Sequence, residues 1–193
     1  MKRLLLIALG LSLFLTGCIP SLHPLYSPET QIYSPELLGT WISVEDEGVW
    51  TFDPGKEGEN YRLTYSSDRF LQEGTQQEFY EVYLVKLGDY HFLDFKPLEK
   101  NLSAEQLSIA WMLPTHSFAR VDFEEKGIVI RMFDYEWLES LFEERKIRMK
   151  HEKVEDGTIV LTATTSELQS FIHKYAEEEQ AYIDPVTLRK TEK

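Results

Sequence analysis

The stretch Phe79-Tyr80-Glu81-Val82-Tyr83-Leu84-Val85-Lys86-Leu87, then Gly88-Asp89, then Tyr90-His91-Phe92-Leu93-Asp94-Phe95-Lys96, decides how the chain folds. Two runs rich in β-branched and aromatic residues flank a two-residue Gly-Asp turn, the pattern of a tight antiparallel hairpin. In the first run Phe79, Tyr83 and Val85 share one face, and Tyr80, Val82 and Leu84 share the other. A strand that is apolar on both faces needs cover on both. Gly127 to Phe133 repeats this two-sided pattern. The hairpin therefore has a core on one side and a further layer on the other.

Outward from the hairpin, more strands follow in sequence. Leu38 to Ile42 and Val49 to Phe52 are separated by an acidic turn at Glu45 to Gly48. Asp53-Pro54-Gly55-Lys56-Glu57-Gly58 is a loop signal, and Tyr61 to Tyr65 alternates with period two. Beyond the hairpin, Ser117 to Glu124 and Gly127 to Phe133 turn at Glu125-Lys126-Gly127. Ile147 to His151 pairs with Thr158 to Ala163 around Asp156-Gly157, and Pro185 to Leu188 adds a short final strand. The total is about nine strands. Three amphipathic helices interrupt them, near 103–113, 134–145 and 165–180. Ser103-x-x-Gln106 and Thr164-x-x-Glu167 have capping-box spacing, and Asp134 suits an N-cap. The fold class is mainly β with accessory α-helices: an antiparallel barrel or strongly curved sheet, with the helices as outer cover.

The chain opens with Lys2-Arg3, an apolar run from Leu4 to Leu15, and Leu15-Thr16-Gly17-Cys18. That run is short of the roughly 20 apolar residues a spanning helix needs. The arrangement resembles the signal peptide and lipobox of bacterial lipoproteins. The resemblance implies a signal peptide over 1–17 and lipidation of Cys18 with diacylglycerol, after which Cys18 becomes the first mature residue. Ile19, rather than Asp, follows the cysteine, and in Gram-negative lipoproteins this directs sorting to the outer membrane. The expected location is the cell envelope, lipid-anchored in the outer membrane and facing the periplasm. Residues 18–36 read as the lipidated cysteine and a Pro-rich tether, because Pro20, Pro24, Pro28 and Pro35 exclude helix and central strand. His23-Pro24-Leu25-Tyr26-Ser27 carries apolar groups that suit docking on the domain. The single β-rich domain is expected over 37–193.

The formal charge is −13, and loss of Lys2 and Arg3 takes it to −15. Such a surface repels nucleic acid and anionic headgroups. Cys18 is the only cysteine, so the chain has no disulfide and, once lipidated, no thiol chemistry. Core burial alone must supply stability, for which 42% hydrophobic and 13% aromatic residues suffice.

Leu38-Gly39-Thr40-Trp41 resembles the Gly-x-Trp signature that opens lipocalins. In that family the tryptophan packs across the closed end of a small barrel, and the glycine permits tight backbone passage. Over its whole length the chain also resembles a family of bacterial lipoproteins of undefined activity. The likeness rests on His23-Pro24-Leu25-Tyr26, on Leu38-Gly39-Thr40-Trp41, on Leu113 to Arg120 and on Leu161 to Glu167.

No chemistry is committed to a catalytic or metal site. The five histidines, His23, His91, His116, His151 and His173, form no His-x-x-x-His pair. His116 and Ser117 are adjacent on a strand and point to opposite faces, so they cannot act as base and nucleophile. Asp94 either faces outward or lines the barrel and pairs with Arg62 or Arg120. Tyr61, Tyr65, Phe79, Tyr83, Tyr90, Phe92, Phe95 and Phe118 lie on adjacent strands, and in a barrel some of them line the interior. Small barrels either fill that space or hold one small ligand. The expectation is a non-enzymatic binding domain without a cofactor, which takes a small apolar ligand. The alternative is a structural protein that docks to another envelope protein.

Overall fold

The computed structural model describes residues 19–67, 76–98 and 115–191. The segment 1–17, Cys18 and the helix expected near 103–113 lie outside the described residues. The elements in chain order are β1 (Gln31–Ile32), β2 (Gly39–Ser43), β3 (Val49–Pro54), β4 (Tyr61–Ser67), β5 (Gln76–Leu87), β6 (Tyr90–Pro97), β7 (Ser117–Glu124), β8 (Gly127–Met132), α1 (Tyr135–Glu143), β9 (His151–Lys153), β10 (Ile159–Leu161), α2 (Thr165–Lys174) and β11 (Val186–Lys190).

Strands β2 to β8 run up and down, each paired with its chain neighbour, and β11 inserts between β8 and β2. The result is a closed, eight-stranded antiparallel barrel of lipocalin-like form. The hairpin that decides the fold is in register, Leu87 opposite Tyr90 and Val82 opposite Phe95. Gly88 has φ +59°, the positive value a two-residue hairpin needs at its first central position. A Cβ there would come within 2.6 Å of His173 Nε2, so α2 packs directly on this turn.

The two faces of β5 meet two different cores. Val82 and Leu84 point into the barrel with Phe52, Leu63, Leu93 and Ile130. Val85 points outward, into a second core built with Phe92, Phe118, Leu138, Leu168 and Phe171. The helices are thus the outer cover that the two-sided strands required. Asp134 caps α1 by accepting from the backbone N–H of Glu136 at 2.7 Å and of Trp137 at 3.2 Å. Asp134→Ala is expected to cost about 1 kcal/mol, read as a lower urea midpoint at unchanged slope.

The segment expected as a tether is part of the fold. Ser21 exchanges backbone hydrogen bonds with His116, and Leu22 N–H donates to the Leu161 carbonyl at 2.9 Å. Ile19 and Leu25 join the outer core, and Gln169 Nε2 donates to the Leu25 carbonyl at 2.8 Å. The docking anticipated for His23 to Ser27 therefore extends back to Ile19, and the described residues leave no free spacer before β2. Prolines exclude helix here but do not prevent a strap whose remaining N–H groups find acceptors on the domain.

Two element bounds also differ from expectation. α2 ends at Lys174 rather than near 180, because Glu177-Glu178-Glu179 would set three carboxylates against the negative end of the helix dipole. The chain turns there instead, and the Ala176 carbonyl accepts from Arg120 Nη1 at 2.7 Å and from the Tyr182 hydroxyl at 3.0 Å. β9 starts at His151, not Ile147, after a turn off α1 in which Lys146 N–H donates to the Leu141 carbonyl.

Candidate functional site

Strand parity picks out the inward side chains, and the strand register sets their levels along the barrel. The middle is filled by Phe52, Leu63, Val82, Leu84, Leu93, Ala119, Val121, Ile128, Ile130 and Leu188, all buried. One end is sealed. Trp41, 4% exposed, donates its indole N–H to the Leu37 carbonyl at 2.9 Å, and Lys190 Nζ stands 5.0 Å from the centre of its ring system. Tyr61 closes the same end: its hydroxyl donates to the Ser34 carbonyl at 3.0 Å, and Tyr33 stacks on it at 4.9 Å. Burial pushes the Tyr61 hydroxyl up to about 12. Gly39, at φ +118°, brings the chain past Lys190, whose Cε would lie 3.1 Å from an added Cβ.

Adjoining this filled layer, the inward side chains enclose a cavity of about 290 Å³. Trp50, Tyr65, Tyr80 and Phe95 form its aromatic wall, Leu63 and Ile130 its floor, and Met132, Val186, Ser117 and Glu78 complete it. The rings meet at steep angles: Trp50–Tyr65 at 5.2 Å and 62°, Trp50–Phe95 at 6.5 Å and 71°, Tyr80–Phe95 at 6.3 Å and 83°. Edge-to-face contacts of this kind stiffen the wall. The Tyr80 hydroxyl donates to Glu78 Oε2 at 2.5 Å. An engineered apolar cavity of about 150 Å³ holds benzene. As lined by the described residues, the mouth has room for a body of one or two rings or a short acyl segment.

A second polar constellation lies outside the barrel, under the N-terminal strap. Asp94 is 0% exposed, on the outer face of β6 between Tyr83 and Phe118. Its Oδ1 lies 2.7 Å from His116 Nδ1, and its Oδ2 accepts from the Leu25 N–H at 2.6 Å. Tyr26 of the strap stacks on Tyr83 at 3.8 Å beside them. Burial holds the Asp94 carboxyl above its ordinary range, although His116 and the strap amides pull it down. Asp94 is thus outward-facing, as one expectation had it, yet covered. Its partner is His116 rather than Arg62 or Arg120. Arg62 is exposed, and Arg120 is engaged by Asp122 and the Ala176 carbonyl. The pair is a latch between strap and barrel. Ser117 points the other way, into the mouth, so the acid–histidine pair has no nucleophile in its neighbour.

The remaining histidines are dispersed. His23 and His173 are exposed, His91 meets Phe123, and His151 stacks on Phe142. Among the described residues no three metal-ligating side chains cluster. Of the aromatics singled out in the sequence, Tyr61, Tyr65 and Phe95 face inward, whereas Phe79, Tyr83, Phe92 and Phe118 share the outward parity. Trp50, the central ring of the mouth, was missed. Its pairing with Trp41 and Tyr65 across β2 and β4 gives its side only once register is known. No family model, no curated protein and no solved structure matches the chain.

Proposed function

We propose that the chain is a non-enzymatic bacterial lipoprotein, anchored through acylated Cys18, that holds a small and largely apolar ligand in the mouth of its barrel. The observation that carries the binding part is the cavity itself: inward rings over a floor of Leu63 and Ile130, adjoining the filled layer that holds Trp41. The acidic charge sets nucleic acid aside as a partner. Native mass spectrometry on protein isolated from its host tests this reading. The expected result is a population heavier by one small molecule, removed by Trp50→Ala; a bare mass under conditions that preserve known lipocalin–ligand complexes contradicts it.

The anchoring part is supported by the lipobox-like Leu15-Thr16-Gly17-Cys18. Two or more acyl chains give lasting attachment, at about 0.8 kcal/mol per buried methylene. Ile19, next to Cys18, is docked on the domain, so a lipid on Cys18 would hold the barrel close to the bilayer. The membrane assigned is the outer one, with the barrel in the periplasm. Cys18→Ser is expected to abolish labelling by radioactive palmitate and leave a precursor at its original length, while the barrel still folds. Normal maturation and membrane fractionation of that variant would refute the anchor.

A docking role toward another envelope protein is the second reading. It is favoured by Ile42 and Val44, 40% and 49% exposed on the outer face of the barrel at and just past the end of β2. Ile42→Asp with Val44→Asp would then release a cross-linked envelope partner and leave ligand binding intact.

A further inference from the structure

Resting on the mouth as a ligand site, we propose that its ligand is an organic cation: an ammonium group carried on an apolar body of one or two rings. The first observation is the wall. Trp50, Tyr65, Tyr80 and Phe95 succeed one another at angles between 62° and 83°, so π faces are offered in more than one direction. Faces of Trp and Tyr attract alkylammonium groups within about 6 Å of a ring centre.

The second observation is charge. Glu78 is the one ionic side chain among the described lining residues. The Tyr80 hydroxyl fixes its carboxylate at 2.5 Å. A neutral ligand seated beside Glu78 would displace part of its water without replacing it, and a carboxylate ligand would add repulsion. An ammonium group answers both costs. The third observation is the long-range field: a chain of charge −13 concentrates cations at a cleft with low-dielectric walls. The floor of Leu63 and Ile130, with Met132 beside it, then takes the apolar body.

The test is calorimetric titration of the folded protein with phenyltrimethylammonium, with its uncharged isostere tert-butylbenzene, and with benzoate. The ammonium is expected to bind at least tenfold more tightly than the isostere, and benzoate more weakly than either. Glu78→Gln, at an exposed rim position, should remove most of the ammonium preference and change the isostere's affinity by less than about twofold. Raising salt should narrow the preference as well. Equal binding of ammonium and isostere, or a preference that survives Glu78→Gln, would overturn the cation and leave the mouth as a neutral apolar site. Failure of all three probes to bind would overturn the ligand mouth itself, and the cation with it.

Discussion

Asp94→Ala is expected to lower the unfolding free energy by about 3–5 kcal/mol, the usual cost of removing one member of a buried pair. Among the described residues, this carboxylate is the hydrogen-bond acceptor that both the His116 ring and the Leu25 N–H reach. Its loss leaves a buried donor at each and a void between Tyr83 and Phe118. The strap should loosen before the barrel does, so proteolysis between Ile19 and Tyr33 should accelerate in this variant while the barrel fragment persists. Equilibrium urea unfolding and the cleavage pattern check the two parts separately.

Ionisation of Asp94 also destabilises, for a different reason from its removal: it charges a buried acceptor instead of deleting it. Burial raises this carboxyl above its ordinary 3.8. Between the ordinary and the folded value the native state binds more protons than the unfolded chain, so stability falls as pH rises through that window. Below 3.8 both states are protonated and the cost vanishes. Measured against Asp94→Asn, wild type should be at its relative best in acid and lose ground as pH climbs above that value. A difference that does not move with pH would contradict burial as the dominant cause.

Trp41→Ala is expected to cost about 3–5 kcal/mol as well, for the loss of a buried aromatic and the cavity it leaves. Two further contacts go with it. The Leu37 carbonyl loses its donor, and the Lys190 ammonium loses the ring beneath it. Trp41→Phe keeps much of the packing and forfeits the N–H, so about 1–2 kcal/mol of the loss should remain. Trp41 adjoins Trp50 across the β2–β3 pair, but its indole N–H points to Leu37 and its ring is not among the described lining residues of the mouth, so a Trp41→Phe protein should still bind ligand. A near-neutral Trp41→Ala would mean that this end is not sealed by the indole.

How much of this is legible in the chain depends on whether the information is local. The Gly88-Asp89 hairpin is written in a two-residue turn with period-two flanks, and it forms in the register those residues dictate. The caps at Asp134 and Thr164 are equally local. Closure is not: Pro185 to Leu188 reads as a short strand, yet the place of β11 between β8 and β2 depends on contacts with residues near Trp41 and Ile128. The strap misleads because proline content reports what the backbone cannot form, and says nothing of the acceptors on Asp94, His116 and Leu161 that hold it. The Asp94–His116 pair spans 22 residues, and its one signal is a charge in a run apolar on both faces. The mouth is half legible. Alternation assigns sides, which places Tyr65 and Phe95 inward. It does not assign level along the axis, and level is what gathers them with Trp50 and Tyr80.

The barrel is filled at the level of Trp41 and open to a small ligand above it, where Trp50, Tyr65, Tyr80 and Phe95 line the mouth. The direct measurement follows the indole N–H resonances of Trp50 and of Trp137, which packs in the outer core, during a titration with toluene. A saturable shift at Trp50 with Trp137 unmoved is expected. A shift at Trp137, or none at Trp50 up to the solubility of the probe, would overturn the ligand mouth.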